Sequence, residues 1–148
     1  MDGGYFGIGI EHGTSSDNLG ALWRSAWNLG AAFIFVIGPR YRHQCSDTTK
    51  AWRHIPLYTH ATFEAFFEAM PHDCQLVGLE FPHAKAVPLP SFAHPERAIY
   101  LLGSEKNGLS KQALERCHQL VYIPSKWCLN LAAAEAVLMY DRAAKETG

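Results

Sequence analysis

The chain has 148 residues, with 13 Lys and Arg against 14 Asp and Glu, a formal net charge of -1, and 48% hydrophobic beside 18% charged residues. That length fits a single domain over residues 1–148, able to bury roughly 68–70% of its unfolded surface without disulfide staples, and the composition excludes a disordered chain. The start, "MDGGYFGIGIEHG", has no basic leader and no long apolar run, so neither a signal peptide nor a membrane span is expected and the cytoplasm is the expected location.

In chain order, "YFGIGIE" alternates and predicts a first strand. "DNLGALWRSAWNLG" predicts a helix, because Leu19, Leu22, Trp23, Ala26 and Trp27 recur at i, i+3, i+4, i+7 and i+8, with Asp17 or Asn18 set to cap its start. Arg24 and Asn28 fall on the opposite face. On periodicity alone Arg24 is a solvated arginine, while Trp23 and Trp27 are core residues or part of a dimer face. "AAFIFVIG" is a continuous apolar run of the kind found in strands covered on both faces. A helical "TFEAFFEAM" follows, then strands "QLVGLEF" and "AIYLLG", a short helix after Ser110, strand "QLVYIP", and a last helix from about Asn130. This alternation predicts an α/β fold with a mainly parallel sheet flanked by helices.

Several clusters invite chemistry. Cys45, Cys74, Cys117 and Cys128 are scattered without a C-x-x-C pair, so free thiols are expected. "HDC" at His72 to Cys74 approaches a ligand cluster but has no second pair, so no metal is expected. "PRYRHQCSDTTKAWRHIP" carries Arg40, Arg42, Lys50 and Arg53 against only Asp47. It suits a phosphate-contact loop as well as a solvated one.

"LLGSEKNGLS" is the most informative stretch. Gly103, Gly108 and Ser110 meet the spacing of a phosphate-cradling loop, yet Leu109 stands where a lysine should reach the phosphates. Glu105 would repel phosphate, so a cationic or neutral ligand approaching backbone fits better. Alone, the loop also admits a plain turn with a solvated acid. An adenine-nucleotide-binding regulatory domain stays open as an alternative function.

Three segments in order narrow the choice: "NLGALWR" with Asn18 and Arg24, "LLGSEKNGLS" with Gly103 and Glu105, and "IPSKWCLNLAAAEAV" with Ile123, Leu129 and Asn130. Together they resemble the SpoU (TrmH-like) branch of the SPOUT methyltransferases, from about Tyr5 to Arg142. The resemblance implies a deep C-terminal trefoil knot, an exception to the rule that connections do not thread loops. It further implies a homodimer with its active site at the subunit interface, and S-adenosylmethionine as donor to a ribose 2′-hydroxyl of RNA, tRNA ahead of rRNA. Gly103, Ile123, Leu129, Cys128 and Glu80 are implied around the donor, and Arg24, Asn18, Glu105 and Asn130 on the substrate side. Two features depart from the family: Cys128 stands where serine is usual, and the preceding stretch is about three residues short. An inactive RNA-binding relative is therefore a further alternative.

Overall fold

The computed structural model describes residues 4–11, 16–38, 50, 53–80, 85–105, 107–127 and 129–147. Along the chain run β1 (Tyr5–Glu11), α1 (Ser16–Asn28), β2 (Phe33–Ile37), β3 (Leu57–His60), α2 (Phe63–Ala69), β4 (Gln75–Leu79) and β5 (Val87–Pro88). A 3-10 turn at Leu89–Ser91 leads to β6 (Arg97–Leu102), α3 (Lys111–Arg116), β7 (Gln119–Tyr122) and α4 (Leu131–Thr147). The strands form one sheet in the order β3-β2-β1-β6-β4-β7-β5, and every pairing is parallel. Among the described residues no helix is long and apolar enough to cross a membrane.

Strand alternation divides the core between the two faces of the sheet. Ile8, Ile10, Ile34, Val36 and Tyr100 pack with Leu22 and Trp23 of α1 and Leu138 of α4, whereas Phe35, Ile99 and Leu101 pack with Phe66 of α2 and Ala113 of α3. The glycines of "YFGIGIE" belong to this second face. Parallel register sets Gly7 against Phe33 and Gly9 against Phe35, and a Cβ on Gly7 or Gly9 would lie 2.3 or 2.4 Å from those rings. Phenylalanines from β2 thus occupy the side-chain space that β1 leaves empty, so the alternation of β1 is large-against-absent rather than apolar-against-polar.

Among the described residues, five of the seven strands and all four helices match the expected elements. β3 and β5 do not appear in the sequence pattern. Both are edge strands; β3 is only partly buried and β5 has two residues, one of them Pro88, so neither carries a long enough apolar alternation. α1 begins at Ser16. Asp17 and Asn18 therefore lie inside the first turn rather than ahead of it, where the sequence expectation set one of them as the cap. Trp23 and Trp27 also part company: Trp23 is buried and donates from Nε1 to Ile55 O at 3.0 Å, while Trp27 stacks on His54 with ring centroids 4.1 Å apart and stays partly exposed.

α4 is fastened to the sheet by polar contacts as well as apolar ones. The buried Arg142 guanidinium donates through Nη1 to Pro95 O at 2.7 Å and to the Tyr100 hydroxyl at 2.9 Å, and through Nη2 to Glu96 O at 2.9 Å. His94 bridges Tyr100 OH and Asp141, each at 2.7 Å. Through these bonds a buried charge and a buried imidazole hold the segment before β6 against the C-terminal helix.

Candidate active site at the carboxyl ends of the strands

An all-parallel sheet delivers the carboxyl ends of its strands to one edge, where connecting loops gather around a reversal of strand order. Here the register aligns Ile10 with Leu102, Leu79 with Leu102, and Leu79 with Val121, so the carboxyl ends of β1, β4, β6 and β7 lie side by side. Between the last three lies a cavity of about 570 Å³, within the size range of small-ligand sites. Its walls are Leu79 and Glu80 at the end of β4, Leu102 at the end of β6 with residues of the loop that follows, Ile123, Ser125, Leu129 and Asn130 after β7, and Leu131 and Ala134 of α4.

In the 103–110 loop the amide groups of residues 107–110 are already engaged. Gly108 N donates to Ser104 O at 2.9 Å, Asn107 N to Ser104 Oγ at 3.1 Å, and Leu109 N to Glu80 Oε2 at 3.3 Å. Ser110 N and Oγ donate to the two carboxylate oxygens of Glu11 at 2.8 and 2.6 Å, while Ser110 Oγ accepts from Ala113 N at 3.1 Å and caps α3. A phosphate-binding loop needs such amides open to an anion. This one directs four in succession inward, two of them onto carboxylates. Glycine is required twice: Gly108 has φ of +66°, and a Cβ on Gly103 would lie 2.0 Å from Gly108 C.

Two carboxylates, Glu80 and Glu105, line the cavity beside the apolar side chains of Leu79, Leu102, Ile123 and Leu131. That combination suits a ligand with a flat apolar part and a cationic centre, since unlike charges attract strongly where water is partly excluded. Asn18 reaches across from α1 and donates through Nδ2 to Glu105 Oε1 at 2.7 Å, joining positions 87 residues apart. Asn130 lines the cavity and also caps α4, its Oδ1 accepting from Ala132 N at 2.9 Å.

Of the residues singled out in sequence, Glu80, Gly103, Glu105, Ile123, Leu129 and Asn130 all line this cavity, and Asn18 is bonded to one of them. Arg24 is half-buried on α1 and is not among the lining residues. Six residues separate it from Asn18, which on a helix is about 9 Å along the axis and about 240° around it, so the two side chains leave α1 on different faces. Lys50 and Arg53 are exposed. Arg40, Arg42 and Cys128 lie outside the described residues. In the "HDC" stretch, Asp73 pairs with Arg97 at 2.7 Å, and burial pushes the Cys74 thiol pKa up.

Two acids escaped the sequence reading. Glu11, the last residue of β1, is buried and holds Ser110 as described; a charged residue closing an apolar strand was the available signal. Glu135 sits on the buried face of α4, with a relative exposure of 0% and neither carboxylate oxygen hydrogen-bonded among the described residues. Burial, then the neighbouring Glu105 charge, holds its carboxyl well above the usual carboxylate range. Because the folded-state pKa is raised, the associated stability is complete below the unfolded value and is lost as pH rises toward the folded one. Glu135→Gln is accordingly expected to gain stability relative to the parent as pH rises above the ordinary glutamate range, by about 1.4 kcal/mol per pH unit at most. Thermal melts of the two proteins across that range test this; parallel curves would mean that Glu135 ionises freely.

The family description "SpoU rRNA Methylase family" matches residues 6–140. No curated protein sequence matches the chain. Among solved structures, the AdoMet-bound rRNA methyltransferase of Sinorhizobium meliloti superposes with a TM-score of 0.85 at 21% identity, over 96% of this chain and 57% of that one. AviRb, a SpoU methyltransferase of Streptomyces viridochromogenes, gives 0.84 at 23% over 97% and 60%. This chain therefore spans well under two thirds of the length of those two proteins. A structure described in terms of 2-OH methylation of C/U34 on tRNA gives 0.83 at 26% identity and covers 99% of both chains.

Proposed function

The chain belongs to the SpoU rRNA Methylase family, and from that membership we propose that it transfers a methyl group from S-adenosylmethionine to a ribose 2′-hydroxyl of RNA. The observation that carries the reading is the convergence of three distant motifs on one cavity, with Asn18 bonded to Glu105 and Asn130 beside them. We favour tRNA over rRNA as substrate, because the neighbour described for tRNA 2-OH methylation matches this chain end to end while the rRNA enzyme of S. meliloti is much longer. The wider assembly in this reading is one domain, a C-terminal trefoil knot and a homodimer with composite sites.

The residues present fit the donor. Leu79, Leu102 and Ile123 offer apolar surface for an adenine ring, and Glu80 and Glu105 offer carboxylates to a cation. S-adenosylmethionine, when bound, supplies an electrophilic methyl on a sulfonium. Gly103, Ile123 and Leu129 would hold its adenosyl part, with Glu80 and Cys128 in the same shell, while Asn18, Glu105 and Asn130 would orient the ribose. Orientation is the main contribution asked of these side chains, because an in-line displacement gains most from holding the oxygen near the methyl carbon.

Arg24 would complete the site from the partner subunit. Its helical offset from Asn18 supports that arrangement, since a residue on another face of α1 is better placed to serve a neighbouring cavity than its own. A guanidinium does not readily give up a proton in proteins. Arg24 would instead stabilise the oxyanion that develops as the 2′-hydroxyl is deprotonated, with water or a phosphate oxygen taking the proton. Lys50 and Arg53, with Arg40 and Arg42 of the same basic stretch, would contact the RNA backbone.

Incubation with methyl-labelled S-adenosylmethionine and RNA lacking the modification is expected to label a nucleotide whose 3′ phosphodiester then resists alkali. Label on a base, or none, would overturn the reading. A nucleotide-binding regulatory domain is disfavoured by the inward-facing amides at 107–110. Donor and RNA binding without transfer would identify an inactive relative.

A further inference from the structure

Trp127 is 85% exposed, more than any other large apolar side chain among the described residues. It projects from the loop after β7, between Ser125 on one side and Leu129 and Asn130 on the other, all of which line the cavity. The backbone beneath it is held. Ser125 Oγ donates to Trp127 O at 2.6 Å and lies 3.3 Å from Ile123 O, and Asn130 is fixed as the cap of α4. An indole on such a braced lip is a surface waiting for a flat partner, since leaving so large an apolar group in water forgoes on the order of 25 cal/mol per Å². Lys126, also exposed, stands next to it.

We propose that Trp127 is the platform on which the base of the methylated nucleotide stacks, with Lys126 meeting an adjacent phosphate. The assignment rests on reading the cavity as an RNA methyl-transfer site: a ribose brought to the cavity must carry its base to the rim, and an aromatic face beside a cation is the usual way proteins hold an unpaired base. A second copy of this chain is the competing occupant. Val137 and Tyr140, on the exposed side of α4 and 41% and 65% exposed, supply a separate apolar surface for that purpose. Stacking also tolerates every base, so Trp127 would grip the nucleotide without choosing its identity.

The test uses the intact protein, labelled S-adenosylmethionine and its RNA substrate. Trp127→Ala is expected to raise the RNA concentration for half-maximal methyl transfer by about 5- to 150-fold, the effect of removing one base–aromatic stack. Donor affinity by calorimetry and oligomeric state by sedimentation should stay as in the parent. Trp127→Phe should recover most of the loss, and RNA should quench the parent's fluorescence more than that of Trp127→Phe. Unchanged RNA dependence in Trp127→Ala would overturn the proposal, as would a loss explained by dissociation of the dimer. Failure of the parent itself to methylate any RNA would overturn the underlying reading instead, and the platform with it.

Discussion

Gly103→Ala is expected to abolish measurable S-adenosylmethionine binding, and a larger residue is not needed to achieve this. A Cβ at this position would lie 2.0 Å from Gly108 C, 2.3 Å from Leu109 N and 2.4 Å from Gly108 O. All three are backbone atoms, so no rotamer change relieves the collision and the loop itself has to open. Opening it pulls on the Gly108–Ser104 bridge, the Leu109 amide on Glu80 and the Ser110 grip on Glu11 together. The cavity loses one wall as a result. The crowding lies within the loop itself. Calorimetry should show at least about a 100-fold loss of affinity, equivalent to roughly 3 kcal/mol. Gly108→Ala is the milder contrast. The atoms nearest its Cβ would be those of the Glu80 carboxylate, from 3.0 Å, and its left-handed backbone would cost on the order of 1–2 kcal/mol. Parental donor affinity in a folded Gly103→Ala protein would remove this loop from the donor site.

Arg24→Ala should leave donor affinity and dimerisation intact but slow single-turnover methyl transfer by on the order of 10²–10³-fold, the usual effect of deleting one preorganised donor to a developing oxyanion. Arg24→Lys should rescue little, because a point charge does not reproduce the guanidinium fork. Subunit mixing gives the sharper result. If each site combines a cavity from one chain with Arg24 from the other, a heterodimer of Arg24→Ala and Gly103→Ala has one doubly defective site and one intact site. Activity should then partly return, provided the Gly103→Ala chain dimerises. No recovery despite confirmed exchange would place Arg24 in its own chain's site, and near-parental turnover of Arg24→Ala alone would remove it from catalysis.

Local sequence determined most of the framework. The i, i+3, i+4 recurrence of Leu19, Leu22, Trp23 and Ala26 is a property of neighbours along one helix, and all four are buried as that spacing requires. Apolar runs bounded by turn residues likewise located β1, β2, β4, β6 and β7. The family resemblance carried by "NLGALWR", "LLGSEKNGLS" and "IPSKWCLN" implied residues that the structure then sets around one cavity, Gly103, Glu105, Ile123, Leu129 and Asn130 among them.

What only the tertiary structure decided is how groups far apart in the chain divide their hydrogen bonds and their space. Helix periodicity cannot tell whether Asn18 caps α1 or crosses to Glu105, because its partner lies 87 residues away. Glu11 looks like an ordinary strand end until a parallel crossover brings Ser110 to it from 99 residues further on. The empty face of β1 takes its meaning from the rings of β2, and Glu135 becomes a strained acid only because α4 packs it out of reach of water and of every described donor. Backbone pattern is written by near neighbours; charge, polar pairing and close approach depend on which segments the parallel sheet carries to the same edge.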